Sequence, residues 1–144
     1  MKDLITKWLS LSSYIHSLLR IVASFMFMTI GLMKLVAFPV SLFPNGGTVH
    51  IFSELGLAGI LEAFGGFMLL IGLYTRPVAF ILAGEMAVAY FQSHSPQGFW
   101  PMLNGGQPAI LYCFIWLYLS SAGAGALSID EWRKKKISSK FFSN

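Results

Sequence analysis

The sequence predicts an all-α fold: a polytopic membrane protein built as a bundle of four transmembrane helices, with both termini in the cytoplasm. Hydrophobic residues make up 56% of the 144 residues and charged residues only 11%, whereas about a quarter of residues are charged in a typical soluble domain. Long apolar segments recur along the chain, and Lys and Arg gather in only some of the segments between them. An unusually apolar soluble domain is the alternative, but so few charges would not cover its surface. The length suits one domain.

The first predicted span covers residues 14–38. It is too long for the apolar core of a signal peptide and no small-residue cleavage site follows it, so we expect a retained helix. Residues 1–13 form a cytoplasmic N-terminal segment before it. Pro39 ends the span, and a loop follows in which residues 48–55 could make a short helix on the membrane surface.

The other predicted spans are residues 57–74, 77–93 and 107–122. Pro77 begins one of them after a tight turn, because proline favours the first helical position and cannot continue a preceding helix. The stretch Gly123-Ala124-Gly125 ends the last span. A membrane domain of residues 14–127 and a polar, basic cytoplasmic tail of residues 128–144 follow from these boundaries, since about 20 apolar residues cross a bilayer.

Charge placement predicts the orientation of the spans. The loops of residues 39–56 and 94–106 contain no Lys or Arg, and the basic residues of the other connections and the termini all fall on the opposite side: Lys2, Lys7, Arg76, Arg133, Lys134, Lys135, Lys136 and Lys140. The positive-inside rule therefore places both loops outside and both termini in the cytoplasm. The basic run at residues 133–136 is interpreted as a topology anchor on anionic lipids, with docking of a cytoplasmic partner as the alternative.

Four ionisable residues fall within the predicted spans, namely Arg20, Lys34, Glu62 and Glu85. Each costs about 2.5–3.5 kcal/mol at the bilayer centre, so we expect them to face inward. At about 1.5 Å per residue, Lys34, Glu62 and Glu85 all lie in the outer half and can meet. Arg20 lies about 21 Å from Lys34 along the helix and is expected to snorkel towards the cytoplasm.

The grouping of Lys34 with Glu62 and Glu85 allows two interpretations. One lysine facing two carboxyls leaves a surplus negative charge, so one carboxyl is expected to hold a proton near neutrality and to exchange it in redox chemistry. Alternatively, Lys34 and Glu62 form a stabilising pair, and Glu85 is solvated or bonded to Gln92.

The loop after the third span is the second candidate part of the site. It begins at His94, and Phe99 and Trp100 lie between its prolines and glycines. These two aromatic residues could belong to an interfacial belt. Alternatively, the loop covers the outer mouth of the bundle as a lid, above an apolar cleft that would suit a quinone head group. The predicted contacts to that head group are Trp100, Asn104, Gln107, Tyr112 and Trp116.

Several other chemistries find no support in the sequence. Cys113 is the single cysteine, which excludes a disulfide or dithiol pair within this chain. The histidines show no ligand spacing, so no haem or metal is predicted, although His50, His94 and Glu54 could form a metal site. The net charge of +4 is concentrated beside a membrane span and does not indicate nucleic-acid binding.

A series of motifs carries a resemblance to a known family. They are Leu19-Arg20, Gly31-Leu32-Met33-Lys34-Leu35, Glu62-Ala63-Phe64-Gly65-Gly66, Gly72-Leu73-Tyr74-Thr75-Arg76, Gly84 to Phe91, Gly98-Phe99-Trp100-Pro101, Asn104-Gly105-Gly106, Leu111 to Phe114 and Ser128-Ile129-Asp130. In this order and spacing, the chain resembles the DoxX family of small four-helix membrane proteins.

The resemblance implies a multi-pass protein of the bacterial inner membrane that is linked to redox chemistry. The family is similar to the membrane subunit of thiosulfate:quinone oxidoreductase, and a mycobacterial relative is described as a scaffold for oxidative-stress enzymes. Relatives commonly carry Glu after the Asn-Gly-Gly turn, where this chain has Gln107. A proton-handling role carried over to that position would therefore lack its charge.

Three functions are compatible with these expectations. The first is a quinone-interacting subunit that works with a partner oxidoreductase subunit, with Lys34, Glu62, Glu85 and His94 handling protons and head-group contacts. The second is a non-catalytic scaffold that recruits redox enzymes. The third is a small-molecule carrier, which would require a homo-oligomer because four helices are few for a transporter.

Overall fold

The computed structural model describes residues 2–141, and its regular structure there is helical, with no strand. We number the helices in chain order: α1 (Lys2–Val36), α2 (Glu54–Ile71), α3 (Thr75–Ala89), α4 (Gln107–Ala122) and α5 (Ile129–Phe141). The part of the chain that the structure describes includes two π-helical turns, Leu61–Gly65 within α2 and Tyr90–His94 directly after α3. Met1 of the predicted N-terminal segment and residues 142–144 of the predicted tail lie outside the described residues, as do the side chains of Lys2, Lys7 and Lys140.

Helix α1 continues from the predicted N-terminal segment into the first predicted span. Its sequence contains no proline and one glycine, Gly31, so nothing interrupts the helix between the two. It ends at Val36, two residues before the predicted end, and Ala37 adopts a left-handed φ of 54°. Pro39 explains an early end, because a proline disfavours helical backbone in the residue before it.

Helix α2 begins at Glu54 because Ser53 caps it. The Ser53 hydroxyl accepts a hydrogen bond from the Gly56 amide at 3.1 Å, which satisfies one of the free N–H groups of the first turn. The short helix expected over residues 48–55 is therefore wrong, since residues 48–53 are not helical. Helix α2 ends at Ile71, where Gly72 adopts a left-handed φ of 68°.

Helix α4 coincides with the fourth predicted span, and α3 begins two residues before Pro77. Asp130 fixes the start of α3, because its carboxylate oxygens accept the amides of Tyr74 at 2.9 Å and Thr75 at 2.8 Å. The tail, predicted only as polar and basic, forms helix α5.

The helices pack around an apolar core. Helix α1 packs along α2, and α3 packs along α4. Phe27 of α1 contacts the rings of Tyr112 and Trp116 on α4, with ring centroids 5.0 and 5.2 Å apart, and so joins the two pairs. At Gly31 the backbones of α1 and α2 come so close that a Cβ would lie 2.7 Å from the Gly59 carbonyl oxygen, as small residues allow between packed membrane helices.

Arg20 does not snorkel. Its side chain is fully buried and donates to the carbonyls of Leu69, Leu70, Ala124 and Leu127. The end of a helix leaves its last carbonyl groups without helical partners, and the guanidinium has five donors in a fixed fork. Arg20 therefore satisfies the end of α2 and the linker after α4, which explains why a buried charge is kept there.

Large apolar side chains cover much of the surface, including Phe64, Phe80, Phe91 and Phe114. Within residues 2–141, two helices, Trp8–Val36 and Glu54–Ile71, are long and apolar enough to cross a bilayer by length and composition. Only 28% and 33% of their most apolar stretches are buried, so these apolar residues lie mostly on the outside. The other two predicted spans correspond to shorter α-helices of 15 and 16 residues.

Candidate functional site

A cavity of about 1000 Å³ lies between α1, α2, α3 and α4. Its size is at the upper end of small-molecule pockets. Most of its lining is apolar, contributed by Phe27, Ile30, Leu55, Leu57, Ala58, Leu61, Ile81, Met86, Val88, Ala89, Pro108 and Ala109. Polar side chains from the same helices complete the lining and give the cavity its chemistry.

Lys34 and Glu62 form an ion pair in this cavity. Lys34 Nζ lies 2.7 Å from Glu62 Oε1, and the two side chains are 13% and 4% exposed. Lys34 comes from the last turn of α1, and Glu62 from the π-helical turn of α2. Single π-helical turns within α-helices are frequent at functional sites. The predicted meeting of these two residues is confirmed.

Glu85 brings a second carboxyl into the same cavity from α3. It lies close enough to Glu62 and Lys34 to interact with both electrostatically. Both Glu85 carboxyl oxygens are buried and have no hydrogen-bond partner among the described residues, and the same holds for Glu62 Oε2. Glu85 is therefore not bonded to Gln92. Three buried carboxyl oxygens remain as hydrogen-bonding groups for a ligand or a proton.

His94 lies at the rim of the cavity, at the end of the π-helical turn after α3. Its Nδ1 is 3.0 Å from the Asn104 carbonyl oxygen, and its ring stacks on Tyr90. Tyr112 lines the cavity from α4 and stacks on Trp116, with ring centroids 5.6 Å apart. Polar groups therefore lie both at the rim of the cavity and along its wall.

The other predicted contacts, Trp100, Asn104, Gln107 and Trp116, do not line the cavity. Trp116 is fully buried in the core beside Phe27, and the side chains of Trp100 and Gln107 are exposed. Their assignment to the lining is therefore corrected.

Asn104 has a structural role in the loop. Its side-chain amide donates to the Gly98 carbonyl at 2.7 Å and its side-chain oxygen accepts the Gly106 amide at 2.8 Å. These bonds close the loop on itself. No residue of the segment 95–107 lines the cavity, so the loop borders the cavity through His94 instead of covering it as a lid, and Phe99 and Trp100 stay 81% and 66% exposed.

Gln92 and Ser93 also line the cavity, as does Glu54 at the start of α2. The helical spacing of Glu85, Ala89 and Gln92 predicts that they share one face, and all three do line it. Glu54 could not be found in this way, because the start of α2 is set by the Ser53 cap.

The histidines are dispersed. His16 lies near α4, where its ring nitrogens contact Tyr118 and the Gly123 carbonyl, and His50 is exposed. Among the described residues, no group of three or more His, Cys, Asp or Glu side chains could hold a metal ion. The possible site of His50, His94 and Glu54 therefore does not form.

Comparison with known proteins gives the affiliation of the chain. A sequence model of the DoxX family matches residues 15–95. The chain is also 42% identical over 126 residues to an uncharacterized protein of Haemophilus influenzae, a match that covers 85% of this chain and 93% of the relative. No solved structure matches. Together with the exposed apolar helices, these matches support the membrane character of the chain.

Proposed function

Because the chain belongs to the DoxX family, we propose that it is a multi-pass component of a redox system in the bacterial inner membrane. It binds a quinone in the cavity around Lys34, Glu62 and Glu85 and works with a partner oxidoreductase subunit. The observation that supports the proposal is a mostly apolar cavity whose wall contains an ion pair and a second carboxyl that has no hydrogen-bond partner among the described residues.

The proposed topology is a bundle of four transmembrane helices with both termini in the cytoplasm. Helices α1 and α2 have the length and composition of spans. Helix α3 reaches 20 residues with the π-helical turn that continues it, which equals the usual length of a span. Helix α4 has 16 residues, or about 24 Å at 1.5 Å per residue, and would rely on the flanking loop to complete the crossing.

The residues of the cavity fit a quinone. A quinone has an apolar ring and tail and two carbonyl oxygens that accept hydrogen bonds, and the lining offers apolar side chains with a lysine, a tyrosine and a histidine among them. The Lys34 ammonium can keep its bond to Glu62 and still donate, because it has three N–H groups. The buried oxygens of Glu85 offer a place to hold a proton.

A bound quinone would supply electron and proton acceptance, and the residues of this chain would bind it, exclude water and hold protons. Glu85 is suited to hold a proton, since Lys34 already faces the carboxylate of Glu62 and a second negative charge beside it is unfavourable in a low dielectric. The single cysteine means that no dithiol of this chain delivers electrons, so the donor is a partner subunit or the substrate.

Direct binding tests the proposal. Purified protein is titrated with short-chain ubiquinone and menaquinone analogues while tryptophan fluorescence is followed, because Trp116 stacks on the cavity residue Tyr112. We expect saturable quenching that Ala89→Phe, which fills the cavity, abolishes. Gly84→Ala is the matched control on the same helix, because a Cβ there meets nothing within 4 Å. Quenching that is unchanged by Ala89→Phe would contradict the site.

One observation favours the scaffold function as a second candidate. Helix α5 exposes Trp132 and Ile137 beside its basic residues, a surface that a cytoplasmic enzyme could contact. Removal of residues 133–144 should then abolish recruitment of a redox enzyme to the membrane, while quinone binding persists. Recruitment that survives the truncation argues against the scaffold.

A further inference from the structure

A second cavity of about 710 Å³ lies at the opposite end of the molecule from His94. Its walls are the start of α3, the end of α4 with the linker of residues 123–126, and the first turns of α5. Four basic side chains line it, Arg76, Arg133, Lys134 and Lys135, against two acidic ones, Asp130 and Glu131. We call it the basal groove.

The acidic residues of the basal groove are already engaged. Both Asp130 carboxylate oxygens accept backbone amides at the start of α3. Glu131 lies 4.0 Å from the Lys134 ammonium. With four basic side chains against two acidic ones, the groove presents an excess of positive charge to an incoming ligand.

Two arginines are held in place at the groove. The Arg76 Nη1 donates to the carbonyl of Ser121 at the end of α4, and the Arg133 guanidinium carbon lies 5.2 Å from the centre of the Tyr74 ring. Cation–π contact and a carbonyl bond each leave other N–H groups of a guanidinium available. Held guanidinium groups are well suited to paired hydrogen bonds with phosphate oxygens.

We propose that the basal groove binds the phosphate head group of an anionic phospholipid. The inference uses the proposed topology, which puts this end of the bundle at the cytoplasmic leaflet, where anionic lipids attract basic segments. It does not depend on quinone binding.

The surroundings of the groove favour a lipid over a soluble anion. Tyr74, Leu127, Trp132 and Ile137 are all more than half exposed beside the basic residues. Tyrosine and tryptophan are enriched where a membrane meets water. A ligand that combines a phosphate with apolar chains matches both surfaces, whereas inorganic phosphate matches only the basic one.

The matched variants Arg133→Gln and Lys136→Gln test the proposal. Each removes one positive charge from α5, but Lys136 does not line the groove, and its ammonium lies over the Trp132 ring at 4.9 Å. The full chain in neutral detergent is titrated with dioctanoyl phosphatidylglycerol and, in parallel, with dioctanoyl phosphatidylcholine, and retained lipid is measured by native mass spectrometry. We expect a preference for phosphatidylglycerol that Arg133→Gln weakens about fivefold, corresponding to about 1 kcal/mol per basic residue near a membrane surface.

Three results would overturn the proposal. Equal weakening by Lys136→Gln would show that only the overall charge of α5 matters. Equal retention of the two lipids would show that the groove does not select an anionic head group, and would favour a protein partner as its ligand. Displacement of phosphatidylglycerol by millimolar inorganic phosphate would assign the groove to a free anion. Unchanged thermal unfolding of both variants without lipid establishes that they fold, which is expected because both side chains are exposed.

Discussion

Lys34 Nζ lies 2.7 Å from Glu62 Oε1, and this ion pair connects the last turn of α1 to the π-helical turn of α2. Both side chains are almost fully buried, so each charge has lost most of its hydration. The attraction within such a pair roughly offsets the cost of removing two charges from water, so the intact pair adds little net stability. If one partner is removed, however, the other is left as an unpaired buried charge, which is strongly destabilising.

Replacing one residue of the pair should therefore lower the free energy of unfolding more than replacing both. We expect Lys34→Met to lower the free energy of unfolding by about 3–5 kcal/mol, since it leaves the buried Glu62 carboxylate without a cation. The double variant Lys34→Met/Glu62→Gln should recover most of that loss. Thermal unfolding of the four proteins of this cycle in one detergent measures the coupling, and additive losses would show that the pair is not coupled.

Close approach of α1 and α2 at Gly31 leads to a second prediction. A Cβ on residue 31 would overlap the Ala63 backbone and lie 2.7 Å from the Gly59 oxygen, and backbone atoms cannot move aside as a flexible side chain does. Gly31→Ala should destabilise the protein by about 1–3 kcal/mol. Gly84→Ala, in open space on α3, should instead stabilise by up to about 1 kcal/mol, because alanine is the better helix former. Opposite shifts of the unfolding midpoint are the expected result, and equal shifts would contradict it.

Arg20 leads to a third prediction. Its guanidinium serves carbonyls at the end of α2 and in the linker before α5, and a buried carbonyl left without a partner costs about 1–3 kcal/mol. Arg20→Met should therefore lower stability by about 3 kcal/mol or more and expose residues 123–128 to protease. Arg20→Lys keeps the charge but loses the fork, so it should recover only part of the loss. Full recovery by lysine would indicate that the charge alone matters.

The sequence could predict that Lys34, Glu62 and Glu85 come together. The position of each residue along its span gives its depth in the membrane, and the spacing of the neighbouring residues gives the helix face on which it lies. The contacts of Arg20 could not be predicted, because its partners are backbone carbonyls about 50 and 105 residues away along the chain. Every residue has a backbone carbonyl, so no residue type in the sequence indicates which carbonyls a buried arginine binds. Helix α4 is apolar around its whole circumference. Its pattern therefore did not reveal that Trp116 faces the core while Tyr112 lines the cavity.

Asp130 leads to a fourth prediction, because it connects α5 to the start of α3. Its two oxygens accept the amides of Tyr74 and Thr75, as an N-terminal capping side chain does. Asp130→Ala should cost about 1–2 kcal/mol and Asp130→Asn less, since the amide keeps one accepting oxygen. Hydrogen exchange at these two amides should accelerate in Asp130→Ala. Unchanged protection there would mean that the turn is held by other contacts.

The proposed topology makes a fifth prediction, which cysteine labelling can test once Cys113 is replaced by serine. Single cysteines are introduced at four exposed positions, Asn45, Tyr74, Met102 and Ser138. Four crossings with cytoplasmic termini require that a membrane-impermeant maleimide labels positions 45 and 102 in intact cells, and positions 74 and 138 only after permeabilisation. The basic residues at positions 76 and 133–136 provide the physical reason, because loops rich in Lys and Arg are retained in the cytoplasm. The reversed labelling pattern would show the opposite orientation of the protein, with the basal groove at the outer leaflet. Labelling of positions 45 and 74 from the same side would show that α2 does not cross the membrane, and the cavity would then open to water along that helix.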